Sequence, residues 1–299
     1  MLEHCTLCPR LCGANRNAGE HGFCGADARI RIGLASLHQW EEPCLSGTNG
    51  AGTVFFCHCP LGCVYCQNHD ISGLDADASG ICTDISGLAD TFLSLQQRGA
   101  HNIDLVTPTQ YAAQLTQAIP LARRRGLTIP IVYNCGGYER VETLRELEGL
   151  VDIYLPDMKY SDPKLAGILS AAPNYVEIAK AAIAEMYRQV GSAVIEDEIM
   201  QRGMIVRHLM LPGELDNTLG VLDWFSEAFP KGDVLFSLMS QYVPMGKAKT
   251  MPPYDRRITE DEYDAALSYL ELLGIENGFT QDFSAATEEY IPDFSFEGL

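Results

Sequence analysis

Short apolar runs alternate with longer amphipathic stretches along most of this 299-residue chain. The apolar runs are rich in β-branched and aromatic residues and predict strands at 53–57, 103–107, 129–133, 151–155, 203–211 and 233–239. Helical spacing of apolar positions predicts helices at 84–98, 110–125, 139–149, 173–190, 215–228 and 259–273, the last beginning after Thr259. Because strands that alternate with helices pair in parallel through right-handed crossovers, the pattern predicts an α/β fold.

Six strand–helix units are too few for a closed eight-stranded barrel. We therefore expect a partial (β/α)6 TIM-like barrel, with a doubly wound sheet as the alternative. In both architectures ligands bind at the carboxyl ends of the strands. We divide the chain into a Cys-rich metal-binding extension with its linker at 1–50, the barrel at 51–274 and an irregular tail at 275–299. The linker is assigned to 34–52, where Pro43 and a Gly-rich run mark a boundary.

The charge balance narrows the range of partners. The formal net charge is −19, and such a surface repels phosphate backbones, which argues against nucleic acid. The dense basic run 123–125 falls at the end of a predicted helix, where cations suit the helix dipole. No apolar run reaches the roughly 18 residues of a membrane span, and the first residues lack a signal-peptide core. We expect a cytoplasmic protein with no membrane partner.

Eleven cysteines are many for a cytoplasmic chain of this length, and eight of them form two clusters. Clustered thiols in a reducing compartment indicate metal binding rather than disulfides. In the central cluster, Cys59, Cys63 and Cys66 are suited to binding three irons of a [4Fe-4S] cluster and leaving the fourth iron open. A zinc site that includes Cys57 is the alternative, and Cys57 is otherwise interpreted as a buried thiol.

The four cysteines near the N-terminus have the number and spacing of a second metal site. The segment around them is poor in large apolar residues, so a metal would supply folding energy that burial cannot. Four thiolates are enough for a zinc ion or for a fully ligated auxiliary iron–sulfur cluster. The four are Cys5, Cys8, Cys12 and Cys24.

Polar residues follow each of the six predicted strands. The cysteine loop follows the first strand, and later strands are followed by Thr107, Asn134, Asp157 and Lys159, while Arg207 lies within the fifth. Since the carboxyl ends of parallel strands meet at one edge, these groups should lie close together. The sequence therefore predicts a ligand site at this edge.

These residues resemble those of a known family. The run Cys59-Pro-Leu-Gly-Cys63-Val-Tyr-Cys66 resembles the cysteine motif of radical S-adenosylmethionine (SAM) enzymes. The segments QN, VTPTQY, NCGGY, YLPDMKY and VRHLMLPG are similar to those of the branch related to pyruvate formate-lyase activating enzyme. The start CTLCPRLCGANR is similar to poorly characterised members of that branch, which carry an N-terminal four-Cys motif.

The resemblance implies a radical SAM oxidoreductase. Cys59, Cys63 and Cys66 would hold a [4Fe-4S] cluster and act in catalysis, and reductive cleavage of SAM would give a 5′-deoxyadenosyl radical that abstracts hydrogen from a substrate. Tyr65 would pack near the adenine. The resemblance further implies that SAM is bound by Asn68, Thr107, Asn134, Asp157, Lys159 and Arg207.

The resemblance also implies partners. A reducing partner such as flavodoxin or ferredoxin would supply the electron, and the substrate would be a protein or peptide, as for glycyl-radical-enzyme activases. Activating enzymes carry a Gly-Gly-Glu-Pro segment where this chain reads VTPTQY, so backbone carbonyls near Val106 and Thr107, or a different side chain, would serve in its place. The alternatives are a non-catalytic iron–sulfur electron carrier and a zinc-binding protein.

Overall fold

The computed structural model describes residues 2–73 and 80–283. Its strands, in chain order, are β1 (Ile30–His38), β2 (Ala51–Phe56), β3 (Ile81–Thr83), β4 (Ile103–Val106), β5 (Ile131–Cys135), β6 (Ile153–Pro156), β7 (Val194–Glu196), β8 (Ile199–Leu209), β9 (Leu235–Met239) and β10 (Gly278–Thr280). Its α-helices are α1 (Pro43–Ser46), α2 (His69–Ser72), α3 (Ile85–Gln97), α4 (Ala112–Arg124), α5 (Val141–Glu146), α6 (Pro163–Ser170), α7 (Tyr175–Val190), α8 (Leu215–Ala228) and α9 (Glu260–Leu272).

The six predicted strands form one parallel run in the order β2-β4-β5-β6-β8-β9. This order follows the chain without reversal, whereas a doubly wound sheet reverses at a switch point. The expected partial (β/α)6 barrel is thus confirmed and the doubly wound alternative is wrong. The six predicted helices are also present; Thr259 caps α9 through a capping box with Glu262.

The linker prediction for 34–52 is wrong. Strand β1 pairs antiparallel with β2 from Ile32 to His38, and β3 continues the sheet on its other side. The run IRIGLASLH is mostly apolar, as expected for a strand that is buried on both faces over most of its length. The irregular tail is also corrected in part, since β10 pairs in parallel with β9; residues 284–299 lie outside the described part of the chain.

The two faces of the parallel sheet pack against different partners. One face carries Tyr133, Tyr154 and Phe236 and packs against the helices in the main core. The other carries alternate residues of the same strands, such as Val132, Ile153 and Leu235, and packs against Cys44 and Leu45 of α1. Helix α1 therefore fills the interior of the half-barrel, and Cys44 is a buried apolar residue, as expected. Among the described residues, no helix has the length and apolar character needed to cross a membrane.

Candidate active site

An open cleft lies at the carboxyl ends of the parallel strands. Its empty volume of about 1140 Å³, which includes space open to solvent, is sufficient for a cofactor-sized molecule. All ten residues predicted to bind the cluster or SAM line this one cleft: Cys59, Cys63, Tyr65, Cys66, Asn68, Thr107, Asn134, Asp157, Lys159 and Arg207. Residues separated by up to 148 positions in the sequence meet here because each follows or ends a strand of the same sheet.

The cysteine loop begins where β2 ends. Each of its three predicted ligands has a hydrogen-bond donor near its sulfur. The backbone N–H of Leu61 donates to Cys59 Sγ at 3.4 Å, the Ser170 hydroxyl lies 2.9 Å from Cys63 Sγ, and the Ser72 hydroxyl lies 3.4 Å from Cys66 Sγ. Donors placed around sulfur stabilise a thiolate over a thiol. These groups can therefore donate to the three sulfurs when the sulfurs are deprotonated.

The three thiols also interact electrostatically. Burial raises the pKa of each, and the neighbouring Cys63 and Cys66 raise that of Cys59 further. The nearby Lys159 ammonium acts in the opposite direction on all three. Thiols that raise one another's pKa lose their protons readily only when a cation compensates the charge, as iron does. The donor set and its spacing fit a [4Fe-4S] cluster.

A buried glutamine holds the base of this loop. The amide of Gln110 donates to the backbone carbonyls of Cys57, His58 and Thr107 at 2.8–3.0 Å. It thus ties the end of β2 to the end of β4. His58 and Thr107 both adopt positive φ, 70° and 55°, which is uncommon for residues other than glycine and recurs at functional sites. Gln110 keeps these strained turns in place beside the cleft.

The opposite wall of the cleft is an ionic network. Asp157 accepts from Lys159 Nζ at 2.5 Å and from Arg207 Nε at 3.3 Å, and Arg207 Nη2 donates to Asn134 Oδ1 at 2.6 Å. Burial alone would raise the pKa of Asp157, but the two cations outweigh it and keep the pKa below its ordinary value. The wall therefore presents two cations, Lys159 and Arg207, that are held in place by Asp157.

The glycines of the NCGGY segment allow β5 and β6 to approach each other. A Cβ on Gly137 would lie 2.2 Å from the carbonyl oxygen of Asp157, and φ there is 75°. No side chain fits at that distance. The glycine thus lets the backbone of the Asp157 segment sit against this turn, with the Tyr175 hydroxyl bonded to the carbonyls of both Gly136 and Asp157.

Sequence reasoning missed the part of the cleft that the N-terminal extension contributes. His38, Trp40 and Glu41 line it, and Glu41 pairs with Arg207 at 3.0 Å. They were hidden because the segment was interpreted as a linker. Asp104, buried beneath the cleft within 3.3 Å of the Asn134 amide, was also missed. Asp104 lies inside a strand, where a polar residue flanked by Ile103 and Leu105 was the one available signal.

The N-terminal cysteines lie close together, outside the cleft. Cys5, Cys8 and Cys24 are buried, whereas Cys12 is exposed. Burial raises the pKa of Cys8 to about 12, and Cys24 and Cys5 contribute to the rise, which indicates that these three thiols are neighbours. Within residues 2–73 and 80–283, however, no three metal-ligating side chains converge on a point that would hold a single ion.

This N-terminal segment is fixed to the cysteine loop by Arg10. Its guanidinium donates to the carbonyls of Pro60, Ala171 and Ser170 at 2.8, 2.6 and 3.3 Å, and it stacks on the ring of Phe23 at 3.7 Å. The segment thus packs against the outer side of the cysteine loop. Cys57, by contrast, is fully buried and is not among the residues that line the cleft, which does not favour the zinc alternative.

No family model matches this sequence. The chain is 30% identical over 285 residues to an uncharacterized protein, MJ0674, of Methanocaldococcus jannaschii; the alignment covers 92% of this chain and 77% of that protein.

Solved structures give the fold. Methylornithine synthase (PylB) superposes with a TM-score of 0.50 and 14% identity over 81% of this chain and 71% of its own. SuiB of Streptococcus suis superposes with a TM-score of 0.50 and 13% identity over 80% of this chain and 50% of its own. A domain of pyruvate-formate lyase-activating enzyme from Bacteroides vulgatus reaches only 0.37, which supports no conclusion about the branch. The first two show that this fold occurs in other proteins.

Proposed function

Because the chain belongs to the same family as the M. jannaschii protein MJ0674, whose name states no activity, we propose its function from the cleft: it is a radical SAM enzyme. The observation that carries the proposal is the convergence of three loop cysteines and a wall of fixed charges on one cleft at the carboxyl ends of a partial barrel. When bound to Cys59, Cys63 and Cys66, a [4Fe-4S] cluster would supply the electron that cleaves SAM to methionine and a 5′-deoxyadenosyl radical.

The residues of the wall would bind and orient SAM. The Lys159 ammonium and the Arg207 guanidinium are held in place by Asp157, so they offer cationic donors for the methionine carboxylate at little entropic cost. The Asn134 amide and the Thr107 backbone supply neutral polar groups, and Asn68 lies beside the cysteine loop. Fixing the cosubstrate against the cysteine loop is the contribution that such a rigid wall makes to catalysis.

Tyr65 would form the apolar side of the SAM site. Its ring is buried and packs against Tyr242 with centroids 5.9 Å apart. Its hydroxyl is bonded to that of Tyr160 at 2.7 Å, so the ring cannot swing away. A fixed aromatic ring beside the cysteines suits an adenine, since aromatic rings stack favourably.

We propose that the four N-terminal cysteines bind a second metal, either zinc or an auxiliary cluster. Three buried thiols, Cys5, Cys8 and Cys24, support this proposal, because burying that many thiols in a segment with little apolar core is otherwise unexplained. We further propose that the substrate is a protein or peptide, including a glycyl-radical enzyme; the open cleft supports this proposal. A reducing partner is required in either case.

Reductive cleavage of SAM tests the main proposal. Anaerobically reconstituted protein with dithionite and SAM should form 5′-deoxyadenosine, and its visible absorbance should change when SAM binds. Cys63→Ala should abolish both signals, whereas Cys82→Ala, which changes an exposed cysteine outside the cleft, should retain both. An intact cluster with no 5′-deoxyadenosine would favour the electron carrier, and a wild-type protein that binds only zinc would refute the proposal.

A further inference from the structure

A positively charged segment covers the outer side of the cysteine loop. Residues 240–258 contain Lys247, Lys249, Arg256 and Arg257 but only one acidic residue, Asp255. This is unusual in a chain with 21 basic and 40 acidic residues. The segment follows β9, so it lies at the same end of the barrel as the cleft, yet Lys247 and Lys249 are not among the residues that line the cleft.

This segment contacts the cysteine loop directly. The Ala248 backbone N–H donates to the carbonyl of Val64, between Cys63 and Cys66, at 3.1 Å. A Cβ on Gly246 would lie 3.1 Å from the same carbonyl, and φ at that glycine is 52°. The backbone therefore packs closely against the loop. The two lysines on either side of Ala248 are exposed, and Ala248 itself is bonded to Val64, which lies between the predicted ligands Cys63 and Cys66.

Most basic residues of this segment form no ion pair with the described residues. Arg256 pairs with Glu262 at 2.8 Å, but no carboxylate in 2–73 or 80–283 forms an ion pair with Lys247, Lys249 or Arg257. Arg10 contributes another positive charge next to the cysteine loop. Among the described residues, its guanidinium donates only to the carbonyls of Pro60, Ala171 and Ser170, which are neutral and leave its charge uncompensated.

The basic run at the C-terminus of α4 differs from this segment, because two of its arginines form ion pairs. There, Arg123 pairs with Asp152 at 2.7 Å and Arg125 with Asp90 at 2.9 Å. The lysines beside the cysteine loop are thus distinguished by their position next to Val64.

We propose that Lys247 and Lys249 form the docking surface for an acidic electron-transfer protein that reduces the cluster; the proposal rests on the proposed function. A chain of charge −19 repels acidic proteins over most of its surface, so a local positive patch both admits such a partner and fixes where it lands. The patch lies beside the half-exposed Val64 of the cysteine loop. One electron leaves the donor's reduced flavin or iron–sulfur centre and enters the cluster, with no bond formed or broken in this chain.

Charge reversal tests the surface. Lys247→Glu, Lys249→Glu and the double variant are compared with Lys231→Glu, which makes the same change at an exposed site before β9, at the opposite end of the barrel. Reduction of the reconstituted protein by reduced flavodoxin, an acidic flavin protein, is followed by stopped flow. We expect the bimolecular rate to fall roughly five- to tenfold in the double variant at low ionic strength, and the difference to shrink as salt screens the charges.

Two further measurements separate docking from chemistry. Photoreduction by deazariboflavin, a small reductant that needs no docking site, should reduce all variants and support 5′-deoxyadenosine formation equally. Calorimetric binding of oxidised flavodoxin needs no electron transfer and should weaken only in the Lys247 and Lys249 variants, so it tests the surface even if SAM is not cleaved. The proposal is overturned if Lys231→Glu slows reduction as much, if the double variant binds and reacts normally, or if the double variant loses SAM affinity or deazariboflavin-driven cleavage, which would make these lysines part of the cleft.

Discussion

Removing the hydroxyl of Ser170 should lower the reduction potential of the cluster. The Ser170 hydroxyl lies 2.9 Å from Cys63 Sγ and 2.6 Å from the Tyr160 hydroxyl, which is 2.7 Å from that of Tyr65. When Cys63 is a thiolate, its sulfur can only accept, so the Ser170 hydroxyl donates to it and accepts from Tyr160. Hydrogen bonds to the ligating sulfurs are among the factors that set the potential of an iron–sulfur cluster.

The size of the effect follows from the geometry. A hydrogen bond to a charged group contributes about 1.5–3 kcal/mol. Reduction adds negative charge, so we take the bond to Cys63 to be stronger by about 1 kcal/mol in the reduced state. A tenfold change in a one-electron equilibrium is about 59 mV, so the potential of Ser170→Ala should be roughly 40 mV more negative. Ser72→Ala should shift it less, because that hydroxyl lies 3.4 Å from Cys66 Sγ.

The assay is a redox titration of the anaerobically reconstituted variants, followed by electron paramagnetic resonance. Iron and sulfide contents are measured on the same samples, because loss of the cluster would mimic a shift. Ser170→Thr is the matched control: it keeps a hydroxyl and should keep the potential near that of the wild type. The Tyr160 hydroxyl, buried in the wild type, loses a partner in Ser170→Ala, which should cost about 1–3 kcal/mol of stability.

Two results would refute this reasoning. A wild-type potential in Ser170→Ala with full iron content would mean that the hydroxyl does not act on the cluster. An equal shift in Ser170→Thr would mean that the change comes from packing rather than from the lost donor.

Two other predictions concern stability and the second metal. Burial raises the pKa of Glu139 from 4.5 to about 8; because the unfolded chain ionises above about 4.5 while the folded chain stays protonated, stability should fall between these values and level off above them. Glu139→Gln removes this penalty. The free energy of unfolding of the variant minus that of the wild type, measured by denaturation, should therefore be about 2–3 kcal/mol larger at pH 9 than at pH 6. The same difference at both pH values would contradict the assignment. The triple alanine variant of Cys59, Cys63 and Cys66 should still bind zinc, or iron with sulfide, by elemental analysis; an empty protein would contradict a second site.

Much of the fold could be predicted from the sequence, because its signals are local. The runs that became β2, β4, β5, β6, β8 and β9 are apolar and bounded by turn residues, so their own composition marks them. Thr259 and Glu262 mark the start of α9 in the same way. The helix α6 was missed because a two-turn helix carries a weak periodic signal. The strand β1 was missed because it is buried on both faces from Ile30 to Ala35, so its residues do not alternate clearly.

The residues of the cleft that lie next to strand ends could also be predicted from the sequence, because their signals are local as well. Cys59, Cys63 and Cys66 are neighbours in sequence, and residues such as Asn134 and Asp157 follow strands, so position alone brought them to one edge. Glu41 and Ser170 could not be found this way. Their roles depend on which segments meet: Glu41 on the return of the N-terminal extension to Arg207, and Ser170 on the end of α6 reaching Cys63.

By itself the sequence determined the strand–helix alternation, the cysteine loop and the edge where the polar groups gather, because spacing and periodicity are properties of neighbouring residues. Only the tertiary structure decided that the sheet is a partial barrel rather than doubly wound, that α1 fills its interior, and which donors face each sulfur. Those features depend on contacts between residues far apart in the chain, such as Arg10 with Pro60 and Ala248 with Val64, whose pairing no local pattern encodes.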